Sequence, residues 1–305
     1  FYPVIVDDLR SSSSFILEGL STMLKDGYAF HCEDVCNVDS MTKIFREHRF
    51  DAVIHFAAYK SVGESCEEPL KYYQNNLQGL TNILRLCEEF GVPKFVFSSS
   101  CTVYGEPEDK QVYEHTPKRL PESPYGFTKW MGEQIIEDVH RNVVPFQTLC
   151  LRYFNPIGAH PSGMIGELPK GIPNNLLPYI TQTATGVLPS LTVFGDDYPT
   201  PDGTCIRDYV HVIDLIDAHV KALASLGSPG HEIFNLGSGS GYSVREVIAA
   251  ASAAIGHQIP FIDSPRRAGD PAVLIADISK AKTQLNWEPT RDMNTMVSDT
   301  LKSMA

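Results

Sequence analysis

The 305-residue chain has no apolar run long enough to cross a membrane, since the run from Val247 to Ile255 is too short and includes a serine. Positive charge is also scarce. Its 25 lysines and arginines stand against 37 aspartates and glutamates, a formal net charge of −12. An acidic chain is a poor partner for nucleic-acid phosphates or an anionic membrane surface. We therefore expect neither nucleic acid nor membrane among its partners.

The cysteines give little sign of a disulfide framework or a metal site. There are seven, an odd number, and no two are spaced as Cys-x-x-Cys. Cys32 and Cys36 lie close together with His31 beside them, a spacing that leaves a metal site open. Free thiols in a reducing compartment are the better interpretation. We expect no metal and a cytoplasmic location.

Composition and pattern predict an α/β fold. The chain is 43% hydrophobic and 20% charged, the mix of a globular protein with one large domain or two ordinary ones. Short apolar runs alternate with helical patterns, which is typical of βαβ units and of a parallel sheet covered on both faces. The predicted strands are Val4–Val6, Ala29–Phe30, Ala52–Ile54, Phe95–Phe97 and Gln147–Cys150, and the predicted helices are 15–26, 39–48, 68–90 and 124–141.

The texture of the sequence changes after Asn155. Residues 156–210 are rich in proline and glycine, which predicts a smaller and more irregular lobe with longer loops. Helical patterns return near 211–225, 243–255 and 292–302. The chain therefore divides into a regular first half and a less regular second half.

Tyr125 and Lys129 have the spacing of a catalytic pair. On a helix, which Pro124 favours as a start, this spacing puts both side chains on one face. A cation so placed stabilises the phenolate and lowers the tyrosine's pKa, which makes it a usable base. Such pairs are often ordinary surface residues. Here Ser98–Ser100 follows an apolar strand, and ligands bind at such strand ends, so the pattern favours a site that removes a proton from an alcohol.

Several motifs resemble, in order, those of the extended short-chain dehydrogenases/reductases. They are Asp34-Val35, His55-Phe56-Ala57-Ala58, Asn75-Asn76, Ser98-Ser99-Ser100, Thr102-Val103-Tyr104-Gly105, Tyr125-Gly126-Phe127-Thr128-Lys129 and Arg152-Tyr153-Phe154-Asn155-Pro156. Longer blocks resemble the UDP-glucose 4-epimerases (UDP-galactose 4-epimerases) of that family. They are Lys60–Ser65, Pro173–Leu176, Phe194–Thr200 and Gly203–Val212. The similarity covers nearly the whole chain.

The resemblance implies a Rossmann-type doubly wound parallel sheet with a smaller α/β substrate lobe. Residues 1–155 would form the NAD-binding domain, and residues 156–305 the UDP-sugar lobe, with some segments returning to the first domain. The family opens with a strand and a glycine-rich turn, but this chain has no G-x-x-G-x-x-G, and its first strand resembles the family's second. We expect about two dozen residues to be absent, which would leave an unpaired gap in the sheet.

The implied activity is the NAD-dependent, reversible epimerisation of UDP-glucose and UDP-galactose at C4 through a transient 4-keto sugar, a step of galactose metabolism. Tyr125 would be the base, Lys129 would tune it and bind the nicotinamide ribose, and Ser100 would bond the sugar's 4-hydroxyl. An acid at Asp7 would bind the adenosine ribose and repel a 2′-phosphate, which favours NAD over NADP.

The resemblance assigns further residues to each ligand. Those implied to bind NAD are Asp7, Asp34, Val35, Phe56, Ala57, Ala58, Lys60, Asn75, Ser98, Tyr125, Lys129 and Tyr153. Those implied to bind the UDP-hexose are Lys60, Ser100, Tyr125, Phe154, Asn155, Asn175, Leu176, Thr192, Phe194, Arg207, Tyr209, Arg267, Asp270 and Leu274. Arg207 and Arg267 suit a diphosphate, because guanidinium groups bind phosphate oxygens bidentately. The size of Leu274 would decide whether N-acetylated sugars fit.

Two other functions stay open at this stage. One is another nucleotide-sugar enzyme of the same family, such as a dehydratase, although Ser100-Cys101-Thr102-Val103 lacks the acidic pair that elimination of water needs. The other is a non-catalytic dinucleotide sensor, which the missing glycines favour and the intact Tyr125 and Lys129 oppose. The resemblance also implies a homodimer that packs through the helices near 72–90 and 124–141.

Overall fold

The computed structural model describes residues 1–12, 14–25, 27–142, 147–167, 173, 175–225, 230–267 and 270–304. Its helices are α1 Phe15–Met23, α2 Val38–Glu47, α3 Val62–Glu67, α4 Pro69–Glu89, α5 Pro124–Asn142, α6 Leu176–Ala184, α7 Val212–Ser225, α8 Val244–Ile255, α9 Ser279–Gln284 and α10 Met293–Lys302. None of these described helices is long and apolar enough to span a membrane.

The strands of the described residues form four sheets. They are β1 Val4–Val6, β2 Ala29–His31, β3 Val53–His55, β4 Lys94–Ser100, β5 Gln111–Val112, β6 Gln147–Tyr153, β7 Asn155–Ile157, β8 Leu191–Phe194, β9 Ile206–His211, β10 Gly230–Leu236, β11 Gly241–Ser243, β12 Phe261–Ser264 and β13 Val273–Ala276. The predicted strands and helices of the first half are all present, and the observed β4 and β6 extend the predicted runs by several residues. The predicted α/β fold with parallel strands is confirmed.

The central sheet has the order β10-β6-β4-β3, and every pairing in it is parallel. Buried apolar side chains of β4 and β6 cover both faces, as the continuous apolar runs predict. β10 comes from the second half of the sequence, so this segment returns to the sheet of the first half. The carboxyl ends of β4 and β6 lie side by side, with Ser100 in register with Tyr153.

A break separates β1 and β2 from the central sheet. These two strands pair in parallel with each other, and no other described strand pairs with either. Val4 and Val6 of β1 instead pack against the buried cluster that contains Phe95 and Phe97. The gap in the strand order that the sequence predicts is therefore present, and side-chain packing holds β1 beside the sheet.

The second half is more regular than its composition predicts. β9 is the centre of a mixed sheet in which β11 is antiparallel to it and β7 and β13 are parallel. Helices α6, α8 and α10 pack together beside this sheet over a separate apolar cluster. The prediction of an irregular segment over 156–210 missed β7, α6, β8 and β9, because their short apolar runs lie between glycine- and proline-rich loops that mask the periodicity.

A buried ion pair joins α5 to the central sheet. The side chains of Glu133 on α5 and Arg152 on β6 are each 1% exposed. The Nε and Nη2 groups of Arg152 each donate to one carboxylate oxygen of Glu133 over 2.8 Å. The hydroxyl of Ser99 on β4 donates to the same carboxylate over 2.6 Å. Burial alone would raise the pKa of Glu133, but Arg152 holds it below its usual value. The carboxylate is therefore ionised and fixed to two strands.

The pair predicts a large and specific loss of stability for Glu133→Gln. The amide keeps the shape but leaves the Arg152 charge buried without a counter-charge, which typically costs about 3–5 kcal/mol. Glu137 is the matched control one turn further along α5, since it pairs with Arg141, whose side chain is 63% exposed. Glu137→Gln should cost at most about 0.5 kcal/mol. Urea unfolding followed by circular dichroism measures both, and equal losses would contradict the assignment.

Candidate active site

Three residues at one-turn intervals on α5 meet the three consecutive serines at the end of β4. The Ser100 hydroxyl lies near enough to the phenol of Tyr125 to act on its pKa through hydrogen bonding. Lys129 Nζ donates to the backbone oxygen of Ser98 over 2.6 Å. The third, Glu133, accepts from Ser99 as described above. The helix face and the strand end are thus in register at each serine, and the predicted catalytic group of Ser100, Tyr125 and Lys129 is brought together.

The Lys129 side chain is buried and has no carboxylate partner among the described residues. It is 4% exposed, and its ammonium lies 5.0 Å from the centroid of the Phe97 ring and 5.9 Å from that of Tyr125. Burial lowers the pKa of Lys129 to about 8. Burial, together with the charge of Lys129, lowers the pKa of His55 to about 3, so the His55 imidazole is neutral. A positive charge therefore lies beside the Tyr125 ring without a neutralising anion.

The expected lowering of the tyrosine's pKa is wrong for the chain by itself. Burial raises the pKa of Tyr125 to about 12, although the bond from Ser100 opposes this shift. The reason is geometric. The Lys129 ammonium points to the Ser98 carbonyl and lies 5.9 Å from the phenol ring centroid, so burial outweighs its attraction. The phenol of the chain by itself is therefore protonated at neutral pH.

Tyr153 extends the polar row beyond the serines. Its hydroxyl lies 2.5 Å from Nε2 of His219 on α7. The His219 ring packs 5.0 Å, centroid to centroid, from Phe56, which is 48% exposed at the end of β3. Burial lowers the pKa of His219, so the imidazole is neutral in this contact. The end of β6 is thus tied to α7 and to the segment after β3.

Asp7 and Asp34 lie at the ends of β1 and β2. The exposed Asp7 carboxylate accepts bonds from the Leu9 N–H over 2.7 Å and the Ser12 hydroxyl over 3.1 Å. Asp34 accepts from the Cys36 N–H over 2.8 Å and from the Arg10 guanidinium. Burial would raise the pKa of Asp34, but these two donors hold it below its usual value. Both side chains therefore act as hydrogen-bond acceptors after the ends of β1 and β2.

Val35 and Asn75 meet where the loop after β2 crosses α4. The Val35 side chain packs on Gly79, where a Cβ atom would lie 2.8 Å from Val35 Cγ2. The Asn75 amide donates to Oδ1 of Asn76 over 3.0 Å. Asn76 is buried and bonds both backbone groups of Tyr59, which fixes the segment after Ala57 and Ala58. The Asn75 side chain is thereby tied to the residue that holds this segment.

Lys60 and Asn175 come together across the two halves of the chain. Lys60 Nζ and the Asn175 amide both donate to Oε1 of Glu167, over 2.8 and 3.2 Å. The Lys60 side chain is 67% exposed. Asn174, which belongs to the same sequence block as Asn175, lies outside the described residues. The sequence did not indicate a role for Glu167, which joins Lys60 to Asn175 through this shared contact.

The predicted diphosphate arginines lie near the serine strand. Arg207 on β9 is bonded to the Asp270 carboxylate over 3.2 Å and to the Pro271 carbonyl over 2.7 Å. Its charge also reaches Cys101, the residue after Ser100, where it opposes the burial that raises the pKa of the thiol. The Arg267 guanidinium stacks 4.0 Å from the centroid of the Phe194 ring. Burial raises the pKa of the Cys205 thiol and both cations oppose this shift, so the two arginines lie in one region beside Cys205.

The remaining predicted contacts differ in exposure. The Asn155 amide donates to the Asp208 carbonyl over 2.8 Å, and Thr192 lies 3.5 Å from the Tyr179 hydroxyl. Leu176 begins α6 and is partly buried. The residues that are largely inside are Phe154, Tyr209 and Leu274, at 4%, 4% and 6% exposure. These three have little surface to offer a ligand in the described arrangement, and Leu274 packs within the main apolar cluster.

Two of these residues have the hydrogen-bonding groups that a dinucleotide such as NAD needs. The exposed Asp7 carboxylate at a strand end can accept from ribose hydroxyls, and the buried Lys129 ammonium has donors beyond the one used on Ser98. Thr102 supplies independent support, because its hydroxyl oxygen is buried with no described hydrogen-bond partner. A buried polar atom of this kind costs stability unless a ligand or water bonds it.

Some important residues were missed by sequence reasoning. Glu133 could have been found, since it continues the spacing of Tyr125 and Lys129 by one more helical turn. Arg152 was part of a quoted motif but had no assigned role, because nothing local shows that its partner is on α5. His219 gave no signal, since its contact with Tyr153 joins residues far apart in sequence.

A cavity of about 600 Å³ lies away from these residues. It is lined by Asp214, Trp287, Arg291 and neighbours between α7 and α10. The Asp214 carboxylate there is bonded by Thr290 and Arg291, which is a structural clamp at the end of the chain. The chemistry of the candidate site lies at the serine strand, and this cavity has no part in it.

Comparison with known proteins agrees with the geometry. Residues 4–300 match a family model described as GDP-mannose 4,6 dehydratase. The UDP-glucose 4-epimerase of Bacillus subtilis is 47% identical over 97% of this chain and 87% of its own length. That of Neisseria meningitidis serogroup B is 49% identical over 97% and 88%.

Solved structures agree as well. The UDP-glucose 4-epimerase from Bifidobacterium longum, solved with NAD⁺ and UDP, has a TM-score of 0.96 and 43% identity, covering 99% of this chain and 90% of that one. The UDP-Glc/GlcNAc 4-epimerase of Campylobacter jejuni has a TM-score of 0.85 and 37% identity, over 99% and 92%. The chain belongs to the UDP-glucose 4-epimerase family of the extended short-chain dehydrogenases/reductases.

Proposed function

We propose that the chain epimerises UDP-glucose and UDP-galactose at C4, reversibly and with NAD as cofactor, through a transient 4-keto sugar. The observation that carries this proposal is the register of α5 on β4, which brings Tyr125, Lys129 and Ser100 to one strand end. Relatives that are 47% and 49% identical carry the same activity in their names. This reaction belongs to galactose metabolism.

Tyr125 is the group that exchanges a proton with the C4 oxygen. Its ring is half-buried at the mouth of the site, and the Ser100 hydroxyl lies near enough to act on its pKa through hydrogen bonding. Ser100 therefore also lies where it can bond the sugar hydroxyl. Bound NAD would supply reversible hydride exchange at C4, while Tyr125 would take the proton from the C4 oxygen and return it. Lys129 keeps a positive charge beside the phenol, which favours the phenolate once the site is occupied.

The other predicted contacts have roles that follow from their chemistry. Asp7 and Asp34 accept hydrogen bonds at the adenosine end, where the exposed Asp7 and the half-buried Asp34 follow β1 and β2. Arg207 and Arg267 bind the diphosphate of UDP, and Asp270 binds a ribose hydroxyl while it orients Arg207. We infer that residues 1–155 form the cofactor domain and 156–305 the substrate lobe, with β10 returning to the first sheet.

We also infer a homodimer and a cytoplasmic location. Helices α4 and α5, which the family resemblance assigns to the dimer interface, pack side by side in the structure. Leu70 at the start of α4 is 80% exposed, an apolar side chain that a partner would cover. All seven cysteines are free thiols, which fits a reducing compartment.

Tyr125→Phe should nearly abolish epimerisation and leave the fold intact. Removal of a general acid–base group typically costs about 10²–10⁴-fold in rate. UDP-galactose turnover is measured for both proteins, with circular dichroism as the test of folding. Tyr113→Phe is the control, because Tyr113 is 41% exposed and lies after β5. A Tyr125→Phe rate close to that of the parent protein would remove Tyr125 as the proton-transfer group.

Lys129→Met should stabilise the free protein at pH 7 while it reduces turnover. The pKa of Lys129 is about 8 in the folded state against its ordinary value of 10.5, so the folded state binds this proton more weakly than the unfolded state does. This penalty is about 3 kcal/mol at 1.36 kcal/mol per pKa unit. Loss of the bond to the Ser98 carbonyl offsets about 1–3 kcal/mol of the gain. We therefore expect a net gain of about 1 kcal/mol.

The pH dependence has a definite sign. Between pH 8 and 10.5 the unfolded parent binds more protons than the folded one, so its stability rises with pH. The advantage of Lys129→Met should therefore shrink from pH 7 to pH 10 in urea unfolding. The exposed Lys43 on α2 provides the control, Lys43→Met, which should show no such trend. A constant difference across this range would mean that Lys129 is not buried as a cation.

Leu274→Ser should raise turnover of N-acetylated UDP-hexoses relative to UDP-glucose. Leu274 is buried in the main apolar cluster beside Arg207 in the register of β13 and β9, so a smaller side chain there would leave room next to the proposed UDP site. An N-acetyl group in a full pocket typically costs about 1–3 kcal/mol. The ratio of kcat/KM values should change about tenfold or more. Leu285→Ser in the same apolar cluster controls for damage to the core. An equal ratio in the parent and Leu274→Ser would place selectivity elsewhere.

A further inference from the structure

Two histidines meet at the end of β2, away from the serine strand. His31 Nε2 and His48 Nε2 are 3.1 Å apart, although the two residues are separated by 17 positions. Their rings are edge to face, with centroids 5.3 Å apart and planes at 79°. Glu47 completes the group, since one ligand atom from each of the three residues lies within 4.8 Å of the others.

The two imidazoles are held on regular elements. His31 is the last residue of β2 and pairs with Val6, and its backbone oxygen accepts the Asp7 N–H over 3.2 Å. His48 ends α2, where its N–H donates to the Ile44 oxygen over 3.1 Å, and its ring packs 5.8 Å from that of Phe50. Ligands that are already in place lose little freedom when they bind an ion.

The distance between the nitrogens suits a shared ion. Two zinc–nitrogen bonds of about 2.0–2.1 Å at a tetrahedral angle place the nitrogens about 3.3 Å apart. In the chain alone the two nitrogens lie within hydrogen-bonding distance of each other, so there is room for only one proton between them. A metal ion bound by both nitrogens would take the place of that proton, with the nitrogens about 0.2 Å further apart.

We propose that His31, His48 and Glu47 form a binding site for a divalent transition metal of the zinc type, with the remaining positions open to water. Imidazole nitrogen favours zinc, nickel, cobalt and copper over magnesium and calcium, which prefer oxygen. The acidic chain, with a net charge of −12, attracts cations in general. The site differs from the Cys32 and Cys36 spacing in the sequence, because His48 comes from another element.

Zinc binding to the untagged protein tests the site. Equilibrium dialysis against micromolar ZnCl₂, with elemental analysis, should give one Zn²⁺ per chain above the level in His48→Gln. His31→Gln should lose the same ion, and Glu47→Gln should bind it at least about tenfold more weakly. His257→Gln, which removes an exposed histidine outside the cluster, should bind as the parent does. Calcium and magnesium should not compete at equal concentration.

Two further measurements make the result decisive. Because a ligand that binds only the folded state raises Tm, ZnCl₂ should raise the Tm of the parent and not that of His48→Gln. Cys32→Ser tests whether the exposed thiol beside His31 is a ligand, and this variant should keep the ion. Equal zinc binding by the parent and His48→Gln would overturn the proposal, and so would its loss in Cys32→Ser. Circular dichroism confirms that each variant is folded.

Discussion

The buried pair of Glu133 and Arg152 is the interaction on which the site depends. Ser99, Arg152 and Asn235 occupy one row across β4, β6 and β10, and Glu133 reaches this row from the helix that covers it. The pair fixes the position of α5 along the strands. A shift by one turn would separate Tyr125 from Ser100 and leave a charge buried without a partner, which is far costlier than the loss of a surface bridge.

This clamp allows a less favourable group to persist beside it. Lys129 lies on the same helix face, one turn away, and its ammonium is buried without a carboxylate. Such a charge destabilises a fold, and a well-paired anion next to it would neutralise the field that Tyr125 needs. Glu133 is held by Arg152, Lys118 and Ser99 instead, so it does not pair with Lys129. The fold thus separates the stabilising charges from the one proposed to act in catalysis.

The sequence predicted elements whose signal is local. The strands and helices of the first half follow from apolar runs and helical spacing, and Tyr125 with Lys129 follows from spacing and the serines. It did not predict the partner of Arg152, the contact of Tyr153 with His219, or the mixed sheet around β9, because each joins residues that only the tertiary fold brings close. It also gave the wrong direction for the pKa of Tyr125, since the depth of burial and the Ser98 acceptor are invisible in spacing.

The two ends of the proposed cofactor site are built differently, and this difference has a consequence for binding. The serine end is fixed by buried bonds between α5, β4 and β6. The adenosine end lies on β1 and β2, which pair only with each other among the described strands and whose carboxylates are bonded by exposed groups such as Arg10 and Ser12. Bonds between exposed groups are screened by solvent, so we expect the side chains at the adenosine end to lose conformational freedom when the cofactor binds. The side chains at the serine end are already fixed by buried bonds and have little further freedom to lose.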